Sequence, residues 1–290
     1  MRRLPVLPEL VESLKGLSVL DGLSGPVAKI VGRATASPPV KNLLSGTFLG
    51  HPLHPLLTDL PIGTWVSAAT LDLVGGKAAG KAARKLTGLG VLAALPTAAA
   101  GLSDWSETYG PDQRLGIAHG LGNLAATALQ ASSYLARRRG RRGLGALLGL
   151  SALGLTVGAS YLGGHLSFGR GVGVDHTASE ERTSEWTRVA TLSELETAKP
   201  YRVDAGGVPV VVVRDGEALR ALSATCVHAG GPLDEGELVE AGTALRCPWH
   251  ASVFALADGS VLRGPAAFCQ PAWEVRAVGE AVEVRFPPAG

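Results

Sequence analysis

Three stretches of this chain, residues 86–103, 115–136 and 144–164, contain no Asp, Glu, Lys or Arg, and a fourth, 55–74, contains only Asp59 and Asp72. Each approaches the roughly 20 residues that a helix needs to cross about 30 Å of hydrocarbon. The alternative is four helices buried in a water-soluble bundle, but such helices keep a polar stripe on one side. The last stretch, LGALLGLSALGLTVGASYLGG, keeps none. The pattern predicts a four-helix transmembrane domain over residues 50–168. Ahead of it, in residues 1–49, Leu7, Leu10, Val11, Leu14 and Leu17 recur at helical spacing, as in an interfacial amphipathic helix or a soluble packing helix.

The net charge of +2 conceals two dissimilar halves. Residues 1–170 carry 17 Lys and Arg against 8 Asp and Glu, a net +9, while residues 171–290 carry 10 against 17, a net −7. Much of the basic excess sits between apolar stretches, in Lys77, Lys81, Arg84 and Lys85, and again in Arg137, Arg138, Arg139, Arg141 and Arg142. Basic loops stay in the cytoplasm, so both chain ends are expected outside a bacterial cell membrane. Because the excess lies among apolar runs, a nucleic-acid partner is disfavoured, and the expected partners are the bilayer and a redox protein or quinone.

The polar residues of this half also cluster. With four antiparallel helices, His54, His119 and His165 fall on one membrane face, along with His51, Asp59 and Asp104. Ionisable groups within a membrane mark functional sites, here for haem, a metal ion or a quinone; capping of helix ends at the headgroup level is the alternative. In HPLHP a proline follows each histidine, which predicts a turn at His51 and His54 rather than helix. With HPLHPLLTDLPIG at its start and SYLGGHLSFGRGVGV at its end, this half resembles an uncharacterised bacterial four-helix membrane family. The resemblance implies a membrane domain, sometimes fused to redox modules.

Residues 169–185 are rich in Gly, Ser, Thr and charge and read as an exposed linker, with His176 solvated. From 186 to 290 the pattern becomes β: Val208–Val213 is β-branched, Trp273 and Val275 alternate with charges, and so do Val282, Val284 and Phe286. Asp215-Gly216 and Asp258-Gly259 supply turns. The whole reads as two domains, α followed by an all-β antiparallel sandwich or small barrel.

Within the β half, Cys226-Val227-His228 is matched by Cys247-Pro248-Trp249-His250. Two thiolates and two imidazoles on two loops fit zinc in tetrahedral Cys2His2 geometry, or a [2Fe–2S] cluster with one iron on two Cys and the other on two His. Each loop offers one ligand of each kind, and Gly230, Gly231 and Pro232 follow the first, as a cluster approached by backbone N–H groups requires. Cys269 is left over, and a buried inert thiol is expected there.

CVHAGGPL and CPWHASVFALADGSVLRGPA resemble the Rieske iron–sulfur domain, over about residues 185–286. The resemblance implies that Cys226 and Cys247 hold the inner iron, and His228 and His250 the outer, electron-exchanging one. Ser252 then lies beside a bridging sulfide. The disulfide cysteines of the cytochrome bc type are Gly231 and Trp249 here, and its cluster-bonding Tyr is Phe254. Fewer hydrogen bonds imply a ferredoxin-like type of lower potential. Only 40 residues follow His250, with no His, so a self-contained oxygenase is not expected. The expected function is a membrane-anchored one-electron carrier serving a membrane redox partner. A redox or iron-status sensor and a structural zinc site are the alternatives. Outward placement conflicts with cytoplasmic cluster insertion, since Arg2-Arg3 is not followed by the apolar stretch of a twin-arginine signal.

Overall fold

Apolar runs with helical propensity and the β-branched runs of the acidic half separate into helix and strand as their periods require. The computed structural model describes residues 6–288; Arg2 and Arg3, and with them the export question, lie outside the described residues, as does the side chain of Leu7. The chain divides into two units, one formed by residues up to 36 with 53–172, the other by 37–52 with residues from 173 onward.

In the first unit, α1 (Val6–Gly16) and α2 (Asp21–Ala34) precede four long helices, α4 (Leu53–Val74), α5 (Gly80–Trp105), α6 (Gly110–Arg138) and α7 (Arg142–Gly164). The loops between these four hold five, four and three residues, so neighbouring helices run antiparallel. Of the four expected spans, two, Gly80–Trp105 and Arg142–Gly169, are long and apolar enough to cross a membrane. The α4 helix includes Asp59 and Asp72, and the uncharged stretch of α6 includes His119, Asn123 and Gln130, which lower their apolar content.

Glycines seat large side chains of neighbouring helices. Trp65 fills the space over Gly90, Trp105 that over Gly116, and Tyr134 that over Gly88. The α7 helix carries two Gly-x-x-x-Gly spacings: Gly145 and Gly149 both face α6, whereas Gly154 and Gly158 face open space. The Arg137 side chain enters against both Gly145 and Gly149, with the Ser133 carbonyl also close to Gly145. Its guanidinium grips Asp72 through both nitrogens, at 2.8 and 2.5 Å, with the two side chains 3% and 4% exposed. Arg137 therefore belongs to the interior, and it leaves the set of loop charges that report orientation.

The α1 helix is a packing helix on its inner side: Val11 and Leu14 meet Leu115 and Leu162, while Leu10 and Leu17 are exposed. Arg114 holds the start of α2 by donating to both oxygens of Asp21, at 2.7 and 2.6 Å. His54 sits inside the first turn of α4, a correction to the turn expected at HPLHP. Pro55 is accommodated because first-turn N–H groups have no helical partner to lose.

The second unit is antiparallel β. Six strands run in the order β1 (Thr187–Thr191), β10 (Ala281–Arg285), β9 (Ala272–Val278), β4 (Ala218–Ser223), β3 (Val208–Asp215), β2 (Pro200–Ala205). Four more run as β5 (Glu237–Val239), β6 (Ala244–Arg246), β7 (Val253–Ala255), β8 (Val261–Arg263). Because side chains alternate along a strand, β3 serves two cores. Val210 and Val212 pack with Trp273, Val282 and Val284, while Val211 and Val213 pack with Leu222, Cys226, Cys247 and Phe254.

Two expectations fail in this unit. The stretch 169–185 is not a free tether: His176 N–H bonds Val227 O at 3.1 Å, Thr177 is buried, and Phe286 N–H bonds Thr183 O at 2.8 Å. The side chain of His176 is nonetheless exposed, as expected. Residues 37–52, expected to belong with the helical half, join this unit instead. Here α3 (Pro38–Ser45) lies on β8, where Asn42 donates to Leu262 O at 3.0 Å and accepts from Gly264 N–H at 2.9 Å. A residue's partners across 220 positions leave no trace in local pattern.

Candidate metal centre

The two Cys/His loops have the same backbone. In the first, which follows β4, Cys226 N–H donates to Gly231 O at 2.8 Å, and Gly230 N–H donates back to Cys226 O at 2.8 Å. In the second, between β6 and β7, Cys247 N–H donates to Ser252 O at 2.8 Å, and Ala251 N–H to Cys247 O at 3.1 Å. Each loop turns through a left-handed residue four positions after its cysteine, Gly230 at φ 76° and Ala251 at φ 57°. The second is unusual for a residue with a Cβ and is held by Arg263, whose Nη1 donates to Ala251 O at 2.6 Å.

This geometry aims paired N–H groups at each sulfur. Cys226 receives them from His228 and Ala229, Cys247 from Trp249 and His250. The thiols are also hydrogen-bonded to one another and buried, 1% and 3% exposed. One proton shared between them raises Cys226 and lowers Cys247 to about 6. Outside the sulfur pair lies an imidazole pair, His228 and His250, with ring centroids 4.9 Å apart and both partly exposed. Although its outer edge is open, the ring of His228 is desolvated by the surrounding loops. Together with the nearby charges of His250, Lys41 and His176 this pushes it down to about 3, so it is neutral with a lone pair available.

Among the described residues no three His, Cys, Asp or Glu side chains gather around a single point that would hold one metal ion. Two thiols form one pair and two imidazoles another, which fits two irons bridged by sulfide better than one tetrahedral zinc. Ser252 is fully buried beside the second loop, and its Oγ accepts from Ala266 N–H at 3.0 Å. Phe254 is fully buried in the adjoining core. Cys269 is exposed rather than buried, because it lies in the loop ahead of β9 and outside both cores.

Gln270, which has no motif to announce it, holds the first loop. It is 1% exposed, accepts from Val227 N–H at 3.0 Å, and donates to Ser223 O at 2.8 Å and Thr225 O at 2.7 Å. Gly231 has a different role: a Cβ there would sit 3.1 Å from Cys247 Sγ and 3.1 Å from the Trp249 ring. Gly231→Ala is expected to cost ~1–3 kcal/mol of stability by overpacking and to lower cluster content. Iron per chain, measured on the purified variant, checks this; wild-type iron content would contradict it.

Of the three membrane histidines, the structure pairs two. His54 Nδ1 donates to Thr97 O at 2.9 Å and His119 Nδ1 to Ala159 O at 2.7 Å, with ring centroids 6.4 Å apart. The rings fit where Gly101 and Gly163 lack side chains. His165 lies in the π-turn His165–Gly169 after α7, its ring against Gly169.

Comparison with known proteins also finds two domains along the chain. Residues 185–274 match the Rieske [2Fe-2S] domain, and residues 50–176 match the family described as predicted membrane protein (DUF2231). Apoptosis-inducing factor 3 of Mus musculus is 30% identical over 97 residues, 33% of this chain and 16% of that protein. The chain thus spans only 16% of the length of the curated relatives it first matches. The anthranilate 1,2-dioxygenase ferredoxin subunit of Burkholderia cepacia is 29% identical over 106 residues, 37% of this chain and 96% of that subunit. Among solved structures, the ferredoxin of carbazole 1,9a-dioxygenase from Nocardioides aromaticivorans IC177 is 34% identical, covering 36% of this chain and 99% of its own, with TM-score 0.34. The chain therefore joins a DUF2231 membrane-protein domain at residues 50–176 to a Rieske [2Fe-2S] domain, with its iron–sulfur cofactor, at residues 185–274.

Proposed function

We propose that this protein is a membrane-anchored one-electron carrier whose cluster is held by Cys226, His228, Cys247 and His250. The observation that carries the reading is the layered site, a buried sulfur pair beneath a partly exposed imidazole pair. The comparisons support a carrier over an oxygenase. The match to a ferredoxin subunit covers 96% of that subunit, whereas the match to the 3-ketosteroid-9-alpha-monooxygenase oxygenase component of Rhodococcus rhodochrous covers 16% of it.

A bound [2Fe–2S] cluster supplies one-electron transfer. The chain supplies the rest. Four backbone N–H groups directed at the two sulfurs stabilise negative charge there, which grows on reduction. His228 and His250 form the edge through which an electron enters or leaves. Trp249, 55% exposed and 6.4 Å from the His250 ring, offers a partner protein an aromatic contact beside that edge.

Dithionite-reduced membranes holding the full chain are expected to give a rhombic EPR signal, absent in Cys226→Ser and His250→Ala. Stoichiometric zinc without such a signal would overturn the reading. A redox titration of the signal is expected to place its potential low in the Rieske range of about −150 to +300 mV, because Phe254 offers no hydroxyl.

In the membrane domain we assign all four helices α4–α7 as spans. The flanking basic residues other than Arg137 keep loops 75–79 and 139–141 in the cytoplasm and the Rieske domain outside. Protease protection of the C-terminal domain in oriented vesicles tests that side. His54, His119 and His165 are the candidates for a haem, metal or quinone; the first two rings are each fixed with Nε2 as acceptor, that of His119 facing Asn123 Nδ2 at 3.2 Å.

A further inference from the structure

We infer that residues 37–52 form a lipid-facing pad that moors the Rieske unit to the membrane surface. This rests on reading α4 as a membrane span.

The segment is two-faced. On one side Asn42 clamps Leu262 and Gly264, Ser45 lies against Gly264, where a Cβ would meet its Oγ at 3.2 Å, and His51 stacks edge-on to Phe268 with centroids 6.0 Å apart. Lys41 and Ser45, one turn apart on α3, are buried. The opposite side is bare and apolar: Val40 is 39% exposed, Leu43 57%, Phe48 64% and Leu49 45%. Residues 37–52 fall outside the span that matches the Rieske family.

Chain continuity names the occupant. The membrane-protein domain begins at residue 50 and α4 at Leu53. Three residues separate Leu49 from Leu53, and the four chain steps between them at ~3.6 Å each reach at most about 14 Å. If α4 starts at the bilayer boundary, the pad lies within reach of the headgroup layer. There a short helix with one apolar face and an adjoining Phe buries that face at the acyl boundary. Mooring through α3 holds β8 and the loop after it, which carries Ala266 against Ser252, close to lipid. The partner that exchanges electrons with the cluster is then met at the membrane.

The test places a photoreactive benzophenone phenylalanine at position 43 or 48 of the full chain, in nanodiscs of phosphatidylethanolamine and phosphatidylglycerol. Position 201, the exposed Tyr of β2, is the aqueous control, and position 157, an exposed Val of α7, the lipid control. EPR of each sample confirms that the Rieske unit is folded. At least tenfold more lipid adduct at 43 and 48 than at 201 is expected. Adducts to a second copy of the chain, or no lipid adduct at 43 and 48 while 157 labels lipid, overturn the pad alone. No lipid adduct at 157 overturns the membrane reading itself, and the pad with it.

Discussion

Gln270→Leu is expected to destabilise the Rieske domain by ~3–6 kcal/mol and to strip its cluster. The substitution nearly preserves volume, so packing changes little. What it removes are three hydrogen bonds between one buried amide and the backbone of the Cys226 loop: one accepted from Val227 N–H, two donated to Ser223 and Thr225 carbonyls. Each backbone group stranded without a partner costs roughly 1–3 kcal/mol, because burial has already removed its water. The loop also carries two of the four proposed ligands, so its loosening separates the sulfur pair. Thermal unfolding and EPR spin per chain, measured on the same full-length sample, check both consequences. An unchanged melting temperature with full cluster content would show that the loop is held by other means.

In the helical unit the largest effect is expected at Asp72. Asp72→Asn leaves the Arg137 guanidinium, 3% exposed, without its carboxylate. Breaking a buried ion pair from one side costs about 3–5 kcal/mol, since a charge remains where water cannot reach it. Ser133 Oγ, which accepts from Arg137 Nε at 3.1 Å, does not neutralise that charge. The double variant Asp72→Leu with Arg137→Leu removes both charges, and it is expected to recover most of the loss. Helical signal during heating in detergent reads this cycle. A single-variant loss below about 1 kcal/mol, or a double variant no better than the single, contradicts the assignment.

The second prediction also bears on topology. Arg137 reads in sequence as one of five adjoining basic residues outside a helix, yet it turns inward over Gly145 and Gly149 to reach Asp72, 65 positions earlier. Charge near a helix end is legible in a sequence; the direction of a long side chain is not. Likewise Cys269 read as a buried thiol because free cysteines are usually buried, but its loop lies outside both cores and exposes it.

Local pattern carries the proposed centre. Cys226, His228, Cys247 and His250 stand out as candidate ligands because those of each loop lie within four residues, and the glycines beside them follow from the turn they must make. The β-branched run at Val208–Val213 and the Asp-Gly turns at Gly216 and Gly259 appear where their propensities put them. Gly259 is required twice over, by its φ of 73° and by Gln270 O, which occupies the space a Cβ would take.

What the sequence by itself determined is therefore what short-range physics encodes: helix and strand periods, turn residues, apolar length, and a ligand set whose chemistry is in the residue types. The tertiary structure alone decided which distant groups complete the site. It paired the two loops as sulfur beneath imidazole, placed Gln270 under the first, set Asn42 across from Leu262, and brought His54 to His119 while leaving His165 in its own turn. The reason is that burial and hydrogen bonding are settled by the whole packed chain: a buried polar group must find a partner wherever the fold brings one, and sequence distance carries no information about where that is.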